Sequence, residues 1–172
     1  MGEITSNKPW LRNNIEIESI SDLKKAFGTN KQPFGFVYEL ILKEPETGVV
    51  KYRYIGKKNL ITERNKPATK KDLETYKKSE LKRKRLRGGK IAYYVHVVKE
   101  SDWKTYYSSN KFIQKNKARF DIERNILDIA FTDSDLTYVE AMYIMCADAC
   151  RNKLYLNDGV SIRRFANKTV KD

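Results

Sequence analysis

The chain is poor in the residues that build cross-links and metal cages: its 172 residues include two cysteines and one histidine. Cys146 and Cys150 lie four positions apart in a segment that reads as helix, too close to staple a fold, and are expected to be small core residues. With His96 as its only histidine, the chain lacks the ligands for a zinc centre. It has no run of ~18 apolar residues that would predict a membrane-crossing helix. The polar, amide-rich N-terminus does not read as a signal peptide, so the expectation is a soluble, cytoplasmic protein without a membrane partner. Negative charge is scarce as well: 22 acidic residues stand against 35 Lys and Arg, for a net charge of +13.

What is present is a globular composition with a strong charge bias. Hydrophobic residues make up 40% and there are eleven tyrosines, which excludes a disordered chain. The length suits one domain. Residues 57 to 99 hold 15 basic and 4 acidic residues, a net of +11, which leaves only +2 for the rest. Charge concentrated in this way makes a nucleic acid the first partner to consider.

The segment Gly35-Phe36-Val37-Tyr38 opens a β-branched and aromatic stretch, a Pro45-Glu46-Thr47-Gly48 turn follows, and Val49 to Ile55 runs back as the second strand of a hairpin. Alternation puts Phe36, Tyr38, Leu40 and Leu42 on one face and Val37, Glu39 and Ile41 on the other. Tyr52 and Tyr54 share a face of the return strand, so Tyr38 and Tyr54 can stand together. Gly56 at the strand end allows close approach of another backbone beside Lys57 and Lys58.

Upstream, residues 1–34 read as an N-terminal extension with a short strand at Asn14 to Glu18 and a helix over Leu23 to Phe27 capped by Ser21-Asp22. Downstream, 57–99 reads as a basic insert. Thr69 with Asp72 predicts a helix start, with the helix running through Leu73, Tyr76 and Leu81 to Gly88-Gly89. Its end carries Lys82, Arg83, Lys84, Arg85 and Arg87, with Lys90 beyond. So many like charges face solvent or a polyanion. Ile91 to Val98 alternates as a strand.

Asp102 and its neighbours predict a short helix over Trp103 to Tyr107, where Trp103 anchors the core and Lys104 and Tyr107 are the functional candidates, a cation and an aromatic suited to a phosphodiester and a base. Phe120 to Phe131 is the third strand, with a phase change near Leu127 that suggests a bulge. Arg124 points with its apolar set and needs a carboxylate or phosphate partner. The last long helix, Asp135 to Leu154, has Leu136, Val139, Tyr143, Cys146 and Cys150 as its stripe. Glu140 is the only carboxylate in its central turns and is costly there unless paired or bound to a metal.

Tyr54-Ile55-Gly56, with Phe36-Val37-Tyr38 as a first half that keeps the tyrosine and loses the glycine, resembles the signature of the GIY-YIG nucleases. The resemblance spans roughly residues 34–165 and extends to a phage-encoded endonuclease group with a basic insert after Tyr-Ile-Gly-Lys-Lys. It implies an α+β fold, a small antiparallel sheet of hairpin plus third strand flanked by helices. The nuclease-like domain is then 35–165, with 166–172 as a basic tail. It implies a metal-dependent DNA endonuclease using one Mg²⁺ or Mn²⁺ on Glu140, with Tyr38 or Tyr54 assisting deprotonation of water and Asn157 where many members carry an asparagine. The family arginine has no clear counterpart. Lys104, Lys57, Arg124 or an arginine of the insert is expected to replace it. Lys58, Lys82 to Arg85, Arg87, Lys90, Arg124 and Asn157 are the expected contacts to double-stranded DNA, and cutting both strands requires a homodimer or two successive nicks. The alternative is a catalytically inactive DNA- or RNA-binding module on the same scaffold.

Overall fold

A computed structural model describes residues 8–161. The basic tail at 166–172 lies outside them, as does most of the strand expected at Val160 to Phe165. The chain divides into two compact units, one formed by the segments up to Leu60 and from Asp102, the other by Ile61–Ser101.

The larger unit is built on the expected hairpin. β3 (Gly35–Lys43) and β4 (Val50–Asn59) pair antiparallel, and β8 (Asp121–Ala130) pairs antiparallel with the other side of β3. The alternation read from sequence sorts the core. Phe36, Tyr38, Leu40 and Leu42 pack with Trp10, Trp103 and Ile113 on one face, while Val37 and Ile55 pack with Leu136 and Ile144 on the other. The predicted bulge is present: Val37 pairs with Asp128 and Tyr38 with Ile126, so Leu127 is the extra residue that lets Ile126 and Ile129 turn to one face.

The sheet is larger than three strands. β1 (Trp10–Arg12) and β2 (Ile15–Ile17) form a hairpin turning through Asn13 and Asn14, both at positive φ, and β1 joins β8 in parallel to give the order β2-β1-β8-β3-β4. The sequence showed a single short strand here; Trp10, buried against Phe36 and Tyr38 at ring-centroid distances of 5.0 and 5.2 Å, supplies the apolar area that docks the added strands. α1 (Ile20–Ala26) starts at Ser19, whose hydroxyl and the Asp22 carboxylate form a capping box.

Two further expectations are corrected. The turn at Asp102–Tyr106 replaces the short helix over Trp103 to Tyr107, and α3 (Lys111–Asn116) begins after it with Asn110 as cap, followed by a 3₁₀ turn at Lys117–Arg119. α4 (Asp133–Cys146) is capped by Thr132 and stops eight residues before Leu154. Asp148 adopts φ +48°, and bonds from Asp148 N to Met145 O and from Ala149 N to Ile144 O close a Schellman motif that ends the helix. Cys146 and Cys150 consequently lie exposed and not in the core. No helix among the described residues is long and apolar enough to cross a membrane.

The smaller unit is a three-stranded antiparallel sheet, β5-β7-β6, made of β5 (Ile61–Pro67), β6 (Lys82–Arg85) and β7 (Ile91–Glu100). The helix predicted to run to Gly88-Gly89 stops early: α2 (Lys70–Thr75), opened by the Thr69/Asp72 capping box, gives way at Tyr76. The Lys-Arg-Lys-Arg run is a strand, and Gly88 and Gly89, at φ +85° and +80°, turn it back into β7. On a helix, like charges repel along neighbouring turns. On a strand, successive residues point to opposite faces.

Candidate functional site

Tyr38 and Tyr54 lie on one face of the β3–β4 ribbon as diagonal neighbours, since Tyr38 pairs with Gly56 and Leu40 with Tyr54, and their ring centroids are 6.4 Å apart. They are not equivalent. Tyr38 is fully buried, ringed by Trp10, Phe36, Tyr54 and Tyr106. Burial drives its pKa well above 10.0, and neighbouring tyrosines add to the rise. Tyr54 is less deeply buried and opens onto a recess of about 510 Å³ along the outer edge of β4. Burial raises its pKa too; contact with Ser108 opposes the rise and the charge of Glu140 adds to it.

The tyrosine pair has a direct consequence for alkaline stability. A buried phenol keeps its proton while the unfolded chain loses it near 10.0, so the folded state is fully favoured below that value and loses stability as pH rises toward the folded pKa. Tyr38→Phe is expected to show a smaller drop in urea midpoint between pH 8 and 11 than the parent.

Glu140 reaches the same recess from α4. Its side chain sits between Leu136 and Ile144, one turn to either side, on the stripe that α4 buries against the sheet. The stripe expected from sequence left Ile144 out and took in two cysteines. Burial raises the Glu140 pKa, and Lys57, with Nζ 3.3 Å from Oε2, pulls it back. Lys57 Nζ also donates to Thr137 Oγ1 at 2.7 Å, so both contacts hold it against α4.

Asn157 is a clamp on the strand edge. Its Oδ1 accepts from Ile55 N at 3.0 Å and its Nδ2 donates to Ile55 O at 2.8 Å, continuing a parallel bridge between Arg53 and Tyr155. This pairing shields the edge of β4 next to Tyr54 and sets the wall of the recess, with Asp158 following.

A family model described as "Putative endonuclease segE, GIY-YIG domain" matches residues 22–168. The chain belongs to this GIY-YIG family. No curated protein and no solved structure matches it. The resemblance carried by Tyr38, by Tyr54-Ile55-Gly56 and by the order of elements is therefore shown, and the missing first glycine has a structural explanation. Phe36 fills the core between Trp10 and Trp103, at ring-centroid distances of 5.0 and 6.0 Å.

Within this GIY-YIG domain the remaining sequence candidates fall in different places. Lys104 lies 5.7 Å over the Trp103 ring and lines a separate hollow with Glu16 and Glu18. Arg124 is buried, donating to the carbonyls of Lys8, Lys104 at 2.9 Å and Tyr106 at 3.1 Å, with its guanidinium over the rings of Trp10 and Tyr107. Its partners are carbonyls and rings in place of the expected carboxylate or phosphate, and Tyr107 serves that stack. Lys58 is paired with Asp102 at 2.5 Å and lies 3.8 Å over the Tyr106 ring. Lys82 to Arg85, Arg87 and Lys90 are exposed in the smaller unit.

Lys111, which sequence reading passed over, lines the recess together with Tyr54 and Glu140. It is the first residue of α3, directly after the Asn110 cap. A cap followed at once by a lysine was the available signal.

The family implies a divalent cation at this site. A partly buried carboxylate whose pKa is raised is one whose charge is incompletely compensated. Oxygen-bearing side chains share its recess: Tyr54, Ser109, Asn157, Asp158 and Ser161. Among the described residues no cluster of three or more His, Cys, Asp or Glu forms a cage. One carboxylate in an open, oxygen-rich recess fits Mg²⁺, which keeps several waters and takes phosphate oxygens as further ligands.

Proposed function

We propose that the chain is an endodeoxyribonuclease hydrolysing phosphodiester bonds at the Tyr54–Glu140 recess with one divalent cation, Mg²⁺ or Mn²⁺. The observation that carries this reading is the convergence of Tyr54, Glu140 and Lys111 on one recess in a GIY-YIG domain. A cation held by Glu140 would supply charge stabilisation to the scissile phosphate and leaving oxygen. Lys57 holds the Glu140 carboxylate and offsets part of the cost of burying its charge. Lys111 adds positive charge where charge develops on the phosphate. Tyr54 orients the attacking water and, as phenolate, takes its proton. Tyr38, closed off from the recess by burial, is a positioning residue for Tyr54. Because the Tyr54 pKa is raised, its phenolate fraction grows about tenfold per pH unit below that pKa, and cleavage is expected to accelerate into the alkaline range.

The test is nicking of supercoiled plasmid DNA with Mg²⁺ or Mn²⁺, the parent beside Glu140→Gln and Tyr54→Phe. Glu140→Gln is expected to lose cleavage and retain DNA binding. Tyr54→Phe is expected to flatten the alkaline limb of the rate profile. One observation favours a second reading: Lys57 already pairs with Glu140 at 3.3 Å, as it would in a catalytically inactive nucleic-acid-binding module. Binding without cleavage by the parent on its cognate DNA, with Mn²⁺ unable to compete for Glu140 in a calorimetric titration, would establish that reading.

A further inference from the structure

The small sheet of the insert has two chemically different faces. Directly opposed residues of an antiparallel pair share a face, and neighbours along a strand alternate. The pairs Arg83↔Tyr93, Arg85↔Ile91, Lys66↔Val95, Arg64↔Val97 and Thr62↔Lys99 therefore gather five cations on one face, with no carboxylate among the strand residues there. The opposite face carries Lys82 and Lys84 together with Glu63, Glu100 and His96. Contacts on that second face agree: His96 lies 3.6 Å from the Glu63 carboxylate and 3.4 Å from Asn65 Oδ1.

The five cations are exposed, and among the described residues Arg64, Arg83, Arg85 and Lys99 form no ion pair. Among the same residues Lys66 is in no ion pair within 4.0 Å either, although its charge acts on the Asp72 carboxylate of the α2 cap. Arg83 and Arg85 flank β7 on one side, Arg64 and Lys66 on the other, and Tyr93, Val95 and Val97 run half-buried between them. Two interstrand spacings put the rows ~10 Å apart. Paired rows of cations, three guanidinium groups and the Lys66 ammonium, beside an aromatic and aliphatic strip suit phosphates, which arginine holds bidentately, with sugars between them.

We propose that this face, whose strand residues carry five cations and no carboxylate, and not the face bearing Lys82 and Lys84, makes the phosphate contacts to duplex DNA. The assignment rests on DNA being the substrate. It divides the Lys-Arg-Lys-Arg run, which sequence treats as one patch, into alternate residues that bind and residues that do not.

The experiment measures fluorescence-anisotropy affinity of the full chain for a labelled duplex of arbitrary sequence over a salt series. Two double variants are compared, R83Q/R85Q and K82Q/K84Q, which remove the same charge from the same exposed strand; far-UV circular dichroism and urea midpoints verify that both remain folded. R83Q/R85Q is expected to bind at least ~10-fold more weakly, with a log–log salt slope shallower by about 1.8, the value for two lost phosphate contacts. K82Q/K84Q is expected to lose less than ~3-fold and to keep the parental slope, since only long-range attraction changes. Equal losses, a larger loss for K82Q/K84Q, or a parent that binds anionic vesicles and not the duplex would each overturn the proposal. Asymmetric binding by a parent that neither cleaves DNA nor lets Mn²⁺ compete for Glu140 would leave the face assignment standing and remove the nuclease reading; cleavage with symmetric losses would do the reverse.

Discussion

Arg124→Leu is expected to cost about 3–5 kcal/mol of folding stability, a large share of the 5–15 kcal/mol typical of a domain. The guanidinium ties two segments together through three carbonyls, that of Lys8 and those of Lys104 and Tyr106, and is stacked between Trp10 at 4.7 Å and Tyr107 at 4.9 Å. Leucine fills part of the volume and satisfies none of the carbonyls, so three partly buried acceptors lose their charged donor. Arg124→Lys is expected to recover only part of the loss, because an ammonium on a flexible stem cannot serve three acceptors and two rings at once. Urea unfolding with unchanged m-value is the measurement. Retained stability with a fall in DNA affinity would overturn this account and return Arg124 to the DNA-contacting set.

Gly56→Ala is expected to destabilise the fold by about 1–3 kcal/mol and to lose most cleavage, through displacement of both tyrosines. An alanine replacing glycine in an unstrained strand ordinarily gains ~0.4–1 kcal/mol by restricting the unfolded chain. Here the added Cβ would meet Tyr38 Oη at 2.6 Å, Tyr38 Cζ at 2.8 Å and Tyr54 Cε1 at 2.8 Å. Tyr38 cannot give way, since Trp10, Phe36 and Tyr106 surround its ring. Strain therefore passes to the less buried Tyr54 and moves its hydroxyl from the recess. A Gly56→Ala protein as stable and as active as its parent would sink the idea that close ring packing over Gly56 sets the site.

The glycine of Tyr-Ile-Gly is thus explained by contact and not by an unusual φ, and close approach at Gly56 was anticipated from sequence, although the approaching group is a side chain. Alternation along β3 and β4, the Leu127 bulge and the placement of Glu140 on a helix were equally legible, because each depends on residues near one another in the chain. The Lys-Arg-Lys-Arg run was misread as helix because nothing within it marks the strand; its pairing with Ile91–Glu100 and the two glycines at positive φ decide the conformation.

By itself, then, the sequence determined the hairpin with its facing tyrosines, the GIY-YIG resemblance, the carboxylate on the last helix and the concentration of charge between residues 57 and 99. These follow from periodicity, turn chemistry and composition, which act over a few residues. Tertiary structure alone decided that Tyr38 is sealed and Tyr54 open, that Arg124 and Asn157 hold the frame, that Lys111 joins the recess, and that one face of the small sheet has cations and no carboxylate among its strand residues. Each of these depends on partners far away in sequence: Lys8 lies 116 positions from Arg124, and Ile55 lies 102 from Asn157. Burial and hydrogen-bond satisfaction are set by such distant neighbours, so they exist only once the chain has folded.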